Sequence, residues 1–323
     1  MIRLASLRPA LFPFLCALLA CDLGLSGGTA DPTERSLSAS RIGDHIASLA
    51  DDSMLGRLAG SPQERLAAEY IRDAFVRFGL EPGTPDYFQT FPIIRGPTSG
   101  AALSAPPEVG TSRNVIAVIP GSGATAGQWV LLGAHYDHVG TDTVDGSVVV
   151  YNGADDNASG TATMLEVAQT VTEYLDGGAA GGNRRSIMFQ AFGAEEAGLI
   201  GSTHFAASPT VAMDSIVAMI NLDMVGRLRD NTLIIAGVRD ADVWPPLFLE
   251  LNRDNLVLVF DNSSLERSDQ FPFYAAQRPA IHLFSGFHED YHRPGDDVGD
   301  VNRGGAAKVG RFAMATLWRL ATN

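Results

Sequence analysis

The sequence predicts a three-layer α/β/α sandwich, in which helices flank a mostly parallel central sheet on both sides. Apolar, strand-like runs alternate along the chain with segments of helical periodicity. Several of these runs are apolar at every position, as expected of strands that are buried on both faces. Hydrophobic residues make up 46% of the 323 residues, enough for one large core, and the sequence holds neither an internal repeat nor a second core.

The first 21 residues have the composition of an export signal. Two arginines precede an apolar stretch, Leu11–Ala20, that is too short to cross a bilayer permanently. Leu18–Cys21 resembles a bacterial lipobox, in which Cys21 would be lipidated and become the mature N-terminus. Gly28–Ala30 is an alternative site for an ordinary signal peptidase. We expect an exported protein that is periplasmic, anchored to the membrane as a lipoprotein, or secreted, with a lipid anchor as its only membrane contact.

Composition divides the rest of the chain into a tether and one domain. Residues 22–36 contain Gly, Ser, Thr and Pro without periodicity, which indicates a linker, and residues 37–323 form the domain. Cys16 and Cys21, the only cysteines, both precede it, so histidines and carboxylates must hold any metal there. The net charge of −14, without a run of Lys or Arg, argues against a nucleic-acid partner.

Two helices are predicted at the start of the domain. Helical periodicity runs from Leu37 to about Leu49, and Ser61–Glu64 is a capping box with proline at the first helical position. Gly79 ends this second helix. Its predicted apolar face consists of Leu66, Ala67, Tyr70, Ile71, Phe75 and Phe78.

The alternation of strands and helices occupies the remainder of the domain. Strand-like runs lie at Val115–Ile119, Val130–Leu132, Ile187–Phe192, Ile216–Ile220, Leu233–Ile235, Leu256–Phe260 and Ala280–Phe284. Helical patterns lie at Ser159–Tyr174, Gly198–Ala207, Val243–Asn252, Asp269–Ala276 and Ala306–Ala321. Residues 96–108 and 176–183 are predicted loops, because they are rich in Gly, Ala and Pro.

Five short stretches carry side chains that bind metals, and most of them follow a predicted strand, where open α/β sheets build their sites. They are Ala134–His138, Gly153–Asn157, Ala194–Gly198, Asn221–Met224 and Asp290–Pro294.

Four of the five stretches also have an ordinary explanation when each is taken alone, whereas a charged residue such as Asp223, directly after an apolar run, rarely lacks a partner. His135 and His292 could be solvated histidines, Asp155 and Asp156 could cap a helix, and the two glutamates at 195 and 196 could favour a first helical turn. Five such stretches in one chain, with two imidazoles and several carboxylates, form the inventory of a hydrolase with two zinc ions.

In their order, these stretches resemble the co-catalytic dinuclear zinc aminopeptidases, the bacterial leucyl aminopeptidase-like group. The resemblance covers about residues 40–320, and Gly56-Arg57 with Gly60-Ser61 resembles the N-terminal region of that family. It implies the zinc-dependent exopeptidase fold, a catalytic role for the domain at 37–323, two Zn²⁺ ions as cofactors, and peptides with a free N-terminus as substrates.

The resemblance also implies a role for each site residue. Asp156 would bridge both ions, with a cis peptide bond after it. The remaining ligands would be His135 and Asp223 for one ion, and Glu196 and His292 for the other. Glu195 would be the general base, and Asp137 would orient His135 through its second ring nitrogen.

Other positions have no assigned role or depart from the family pattern. The segment before His135 is too short for the inserted domain that some relatives carry. Some relatives use a tyrosine to steady the tetrahedral intermediate, but Leu265 stands at that position here, with Tyr291 as a substitute. The remaining histidines divide into His138 and His288, expected behind the ligands or at the pocket rim, and His45, His204 and His282, expected to be structural. Residues proposed to line a side-chain pocket are Phe284, Phe287 and Tyr274.

Three other functions are consistent with the same residues. One is a carboxypeptidase or dipeptidase with two zinc ions, and another is a single-zinc acyltransferase resembling the glutaminyl cyclases. The intact His135 argues against the acyltransferase, since that group does not need this histidine. The third is a binding lipoprotein on an inactive peptidase fold, but such proteins usually lose ligands, and none is missing here.

Overall fold

A computed structural model of the chain describes residues 31–95, 108–179, 182–238, 243–263 and 265–323. The predicted leader, the first part of the predicted linker and most of the predicted loop at 96–108 lie outside these residues. At the start of the described part, Pro32 is buried in a single helical turn. Among the described helices, none combines the length and apolar character that crossing a bilayer requires.

The described residues contain eleven strands, and nine of them form one sheet. In chain order the strands are β1 (Glu81–Pro82), β2 (Phe88–Arg95), β3 (Glu108–Ile119), β4 (Trp129–His135), β5 (Thr141–Val144), β6 (Ser147–Val150), β7 (Ser186–Phe192), β8 (Ile216–Leu222), β9 (Thr232–Ala236), β10 (Val257–Phe260) and β11 (Ala280–Phe284). Strands β5 and β6 form a separate hairpin.

The strand order in the sheet is β1-β3-β7-β4-β8-β11-β9-β10, and β2 pairs with β3 beside β1. The four central strands, β7, β4, β8 and β11, are parallel, which confirms the predicted character of the sheet. Strand β3 is antiparallel to β1, β2 and β7, and β9 is antiparallel to β11. Strand β2 lies at an edge of the sheet and contains an exposed proline, Pro92. Proline has no amide hydrogen to donate, and at an edge this costs the sheet no hydrogen bond between central strands.

The described helices match the predicted ones to within a few residues. They are α1 (Ala39–Leu49), α2 (Pro62–Phe78), α3 (Gly160–Tyr174), α4 (Ile200–Ala207), α5 (Trp244–Leu251), α6 (Gln270–Ala275) and α7 (Arg303–Thr322). Ser61 caps α2 by accepting a hydrogen bond from the backbone of Glu64, and Gly79 ends it with φ of 81°. The prediction that Leu66 lies on the buried face of α2 is wrong, since this residue is 45% exposed. The buried stripe of α2 is therefore narrower than the sequence pattern indicates.

Alternate residues of the strands pack into two hydrophobic clusters on opposite faces of the sheet. Val115 and Ala117 of β3 belong to the larger cluster, which also contains buried residues of α1, α2, α3, α5 and α7. Ile116 belongs to the smaller cluster, together with Phe205 of α4 and Phe273 of α6. Helices thus cover both faces of the sheet, and the three-layer α/β/α sandwich is confirmed.

Candidate metal centre

The parallel strands bring most of the predicted site residues to one edge of the sheet. His135 is the last residue of β4, Asp223 directly follows β8, and Glu195 and Glu196 follow β7 by three and four residues. Because β7, β4 and β8 are parallel neighbours, their carboxyl ends meet at the same edge. His292 lies in the loop that follows β11.

Asp156 reaches this edge from a tight turn between β6 and α3. Gly153 begins the turn with φ of 59°, and a Cβ atom at this position would lie 2.2 Å from the carbonyl oxygen of Asp156. The peptide bond between Asp156 and Asn157 is cis, as the resemblance predicts. The Asn157 side chain donates to the Leu222 carbonyl oxygen at 2.9 Å, which fastens the turn to the end of β8.

Two sets of ligand atoms meet at Asp156. In the first set, Nε2 of His135 lies 3.3 Å from Oδ1 of Asp156 and 3.3 Å from Oδ1 of Asp223. In the second set, Nε2 of His292 lies 3.0 Å from Oδ2 of Asp156 and 3.0 Å from Oε2 of Glu196. The two carboxylate oxygens of Asp156 therefore belong to different sets.

These separations fit a metal ion with tetrahedral coordination. For bonds of about 2.0–2.1 Å to nitrogen and oxygen, tetrahedral geometry places two ligand atoms roughly 3.3 Å apart. The donors are imidazole nitrogens and carboxylate oxygens, the types that zinc accepts where no thiolate is available. Each set of three donors can thus hold one such ion, and Asp156 can serve both sets.

The electrostatic environment suits Asp156 to bind a cation. Burial favours the neutral carboxyl, but hydrogen bonds from His135 and His292 outweigh it and hold the pKa of Asp156 below its ordinary range. Several carboxylates share this buried region, and their mutual repulsion makes a positive partner favourable.

Glu195 lies beside the two ligand sets without belonging to either. Its closest approach to His135 is 3.9 Å, from Oε2 to Nε2. Burial raises the pKa of the Glu195 carboxyl well above its ordinary value; Asp269 and Asp223 act in the same direction, and His135 opposes them. A carboxylate with a raised pKa is a better proton acceptor at neutral pH.

Asp137 is fully buried and has a second contact that the sequence did not indicate. Its carboxylate accepts hydrogen bonds from the backbone amides of Glu195 at 3.0 Å and Glu196 at 3.2 Å. The carboxylate lies 3.7 Å from Nδ1 of His135, while its own main-chain oxygen lies 3.3 Å from that nitrogen. Asp137 therefore links the end of β4 to the turn that carries both glutamates, and its predicted role in orienting His135 stays a prediction.

The structure separates the two adjacent aspartates. Asp155 turns away from the ligand sets and accepts hydrogen bonds from the Gly226 amide at 2.6 Å and the Ser159 hydroxyl at 2.9 Å. Burial raises its pKa, and Nε2 of His288 lies 3.3 Å from its second oxygen. His288 is buried against Asp155, so it belongs to the expected shell behind the ligands.

Two further buried residues contact the ligand residues: Asp296, which no sequence pattern indicates, and His138, which was expected behind the ligands or at the pocket rim. Asp296 is fully buried, and its carboxylate accepts hydrogen bonds from the amides of Asp155 at 3.0 Å and Asp156 at 2.9 Å. His138 is fully buried, with Nδ1 2.9 Å from Oε1 of Glu196, and it joins Asp156, Glu196 and His292 as a fourth candidate ligand. His138 therefore does not lie at a pocket rim.

A cavity of about 300 Å³ opens onto the two ligand sets. It is lined by His135, Asp156, Glu195, Glu196, Asp223, Met224, Arg267, His282, Phe284, Phe287 and Tyr291. Phe284 and Phe287 line this cavity, and their predicted role in a side-chain pocket stays a prediction. The prediction for Tyr274 is wrong, because this residue lines a different cavity beside α6. His282, predicted to be structural, is buried on the cavity wall and stacks against Phe284.

Residues 114–317 match peptidase family M28. The match spans more than half of the chain, and the protein belongs to that family. Over 219 residues, the chain is 28% identical to aminopeptidase YwaD of Bacillus subtilis (strain 168), an alignment that covers 64% of this chain and 44% of the relative. The chain spans about half of the length of the first curated relatives that it matches.

Solved structures confirm the fold. An aminopeptidase from Aneurinibacillus sp. strain AM-1 superposes with a TM-score of 0.69 at 19% identity, covering 90% of this chain and 95% of that one. A glutaminyl cyclase from Porphyromonas gingivalis superposes with a TM-score of 0.67 at 18% identity, covering 90% and 100%. Proteins with different activities thus share this fold, and the residues of the site must decide between them.

Proposed function

We propose that the protein is a zinc-dependent aminopeptidase that binds two zinc ions and releases N-terminal residues from peptides. One observation carries the proposal: the two oxygens of Asp156 divide between two sets of ligand atoms, and Glu195 lies beside both sets. Membership of peptidase family M28 supports a peptide substrate.

The ligand assignment follows the two sets. His135, Asp156 and Asp223 would hold one ion, and Asp156, Glu196 and His292 would hold the other. A glutaminyl cyclase-like centre with one zinc ion would leave His135 without a ligand role. Its Nε2 lies at ligand spacing from two carboxylates, which favours the centre with two ions.

In this proposal, Glu195 is the residue that accepts and then donates the proton. When bound, the zinc ions lower the pKa of a water molecule and polarise the scissile carbonyl. Glu195 accepts the proton that the water loses as its oxygen bonds to the carbonyl carbon. It then donates this proton to the leaving amine as the C–N bond breaks. General acid–base catalysis of this kind accelerates reactions by about 10²–10⁴-fold.

The cavity supports an exopeptidase acting at a free amine. Its volume of about 300 Å³ is at the lower end of ligand pockets, enough for one substrate side chain beside the scissile bond. Phe284, Phe287 and Tyr291 line it with aromatic surface that suits an apolar side chain. The nearby carboxylates attract a protonated α-amine. Among the described residues that line the cavity, Tyr291 alone carries a hydroxyl group. It therefore remains our candidate to steady the tetrahedral intermediate in place of the tyrosine that some relatives use.

Paired substrates test this proposal. Each pair carries one aminoacyl group on a chromogenic amine, with the α-amine either free or acetylated, and is assayed with and without a chelator. We expect cleavage of the free-amine member alone, and its loss with chelator. Cleavage of C-terminal residues from N-blocked peptides would identify a carboxypeptidase, and cyclisation of N-terminal glutamine would identify a glutaminyl cyclase. Zinc binding with none of these reactions, and with no cleavage of dipeptides, would refute peptidase activity.

We also propose that the protein is exported, from the composition of residues 1–21. Cleavage before Cys21 with lipidation, or cleavage after Ala30, would produce different mature N-termini. Mass spectrometry of the mature N-terminus in a bacterial host distinguishes them. A chain that retains Met1 in the cytoplasm would refute export.

A further inference from the structure

Arg57 is a fully buried arginine whose hydrogen bonds all go to main-chain carbonyl oxygens. Nε donates to Tyr136 at 2.7 Å, Nη1 donates to Leu49 at 2.5 Å and to Asn152 at 2.7 Å, and Nη2 donates to Gly153 at 3.0 Å. Within the described part of the chain, its guanidinium forms no ion pair with a carboxylate. These bonds use four of the five N–H donors of the guanidinium. A charged group buried in this way requires such partners.

Three of the four carbonyl groups belong to segments that meet at the metal centre. Tyr136 lies between His135 and Asp137, and Asn152 and Gly153 lie at the start of the turn that carries Asp156. Leu49 ends α1 and ties the guanidinium to the helical layer. One side chain therefore connects the two segments whose ligand residues must lie 3.3 Å apart.

The backbone at Gly56 and Arg57 packs closely against the segment that follows His135. Gly56 has φ of 64°, and a Cβ atom there would lie 2.2 Å from the carbonyl oxygen of Gly140. The Gly140 amide donates to the Gly56 oxygen at 3.0 Å, and the His138 amide donates to the Arg57 oxygen at 3.3 Å. These two backbone hydrogen bonds join the Gly56-Arg57 pair to the residues that follow His135, although the pair lies far from the ligands in the sequence.

The charge of Arg57 also acts on the centre. Burial lowers its pKa to about 10, and Asp137, Asp296 and Asp156 oppose that shift. The guanidinium is therefore protonated at neutral pH, and it reduces the repulsion between these carboxylates.

We propose that Arg57 is a positioning residue that holds His135 and Asp156 at ligand spacing and thereby sets the affinity for zinc. The inference rests on the proposed metal centre. The planar fork of arginine suits four carbonyl groups on different segments, whereas a lysine ammonium offers its donors from a single point.

The test compares Arg57→Met, which removes charge and donors, with Arg57→Lys, which retains the charge. The dissociation constants for both zinc ions are measured by competition with a chromophoric chelator, with kcat and KM alongside. We expect roughly 10–100-fold weaker zinc binding in both variants, the usual effect of losing a residue behind the ligands. We also expect kcat to fall while KM changes little.

The control is Arg185→Met, because Arg185 also donates to a main-chain oxygen, that of Leu320 at 2.6 Å, but away from the centre. Melting temperatures of the zinc-free proteins separate folding from metal affinity. Equal zinc affinity in wild type and either folded Arg57 variant would overturn the proposal. If neither variant folds, Arg57 is purely structural and the proposal also fails. If the wild-type protein binds zinc but cleaves no peptide, the proposed function is refuted. The zinc affinities of the wild type and the Arg57 variants would still test the role of Arg57.

Discussion

Nδ1 of His138 lies 2.9 Å from Oε1 of Glu196, while Oε2 of the same carboxylate lies 3.0 Å from Nε2 of His292. The two oxygens of Glu196 thus have different neighbours, since Oε1 faces His138 and Oε2 faces His292. Gly153 makes this possible, since a Cβ atom there would lie 2.5 Å from the His138 ring. With Nδ1 as the donor, His138 keeps the Glu196 carboxylate in one orientation.

Replacing His138 by phenylalanine should weaken the binding of one zinc ion. The loss of the hydrogen bond frees the Glu196 carboxylate, and outer partners of this kind contribute about 10–100-fold to metal affinity. His138→Gln retains a donor and should recover part of the loss. Chelator competition measures both variants.

His204→Gln is the matched control, because His204 packs against Phe91 outside the ligand sets. Its zinc affinity should equal that of the wild type. Unchanged affinity in His138→Phe would show that the contact with Glu196 is incidental.

Glu195→Gln should separate catalysis from metal binding. Glutamine retains the shape of the side chain but accepts no proton, so we expect the full zinc content and a loss of roughly 10²–10⁴-fold in kcat. Elemental analysis and steady-state kinetics on one preparation provide both values. Glu195 would be a ligand if the variant lost zinc, and it would not be the base if the variant remained fully active.

Ligand substitutions should change the zinc stoichiometry in a pattern that follows the two sets. His135→Ala and His292→Ala should each retain about one ion, from opposite sets, whereas Asp156→Ala should retain almost none, because Asp156 contributes to both. Elemental analysis after dialysis measures this. Loss of only one ion from Asp156→Ala would show that the carboxylate does not bridge.

The stability of the protein should fall in acid partly through His45. Burial lowers the pKa of this histidine from 6.5 to about 4, and its Nδ1 lies 2.7 Å from the hydroxyl of Tyr70. Between these values the unfolded chain binds the proton and the folded chain does not. Stability therefore rises as the pH increases from 4 to 6.5 and is unaffected by His45 above that.

His45→Gln should remove this contribution, which amounts to at most about 3 kcal/mol of unfolding free energy at pH 4. Urea unfolding of both proteins at pH 4, 5, 6 and 7 measures the difference. Parallel profiles would show that His45 is protonated in the folded state as well.

Much of the fold was predictable because the buried strands and amphipathic helices leave clear periodic patterns. The strands β4, β7, β8 and β11 are apolar almost throughout. The helices that alternate with the strands match their predicted ranges closely. Strand β2 was missed because polar residues and Pro92 interrupt its pattern. The hairpin of β5 and β6 was missed because it is mostly exposed and has no buried face to mark it.

The sequence predicted which residues form the site, but not the contacts that hold them in place. The residue pattern alone does not tell which of Asp155 and Asp156 faces the ligand sets. The family resemblance assigned Asp156, and in the structure Asp155 instead accepts hydrogen bonds from Gly226 and Ser159. The contacts of Arg57 and Asp296 with the segments of the metal centre join residues 79 to 141 positions apart in the chain. Spacing along one sequence carries no information about such contacts.

Anomalous diffraction at the zinc edge, from crystals of the zinc-loaded protein, tests most directly whether Asp156 bridges two ions. We expect two peaks about 3.5–4 Å apart, one on each side of the Asp156 carboxylate. One peak should lie between His135 and Asp223, and the other between Glu196 and His292. A single peak, or a pair that leaves Asp156 without contact to one ion, would contradict it.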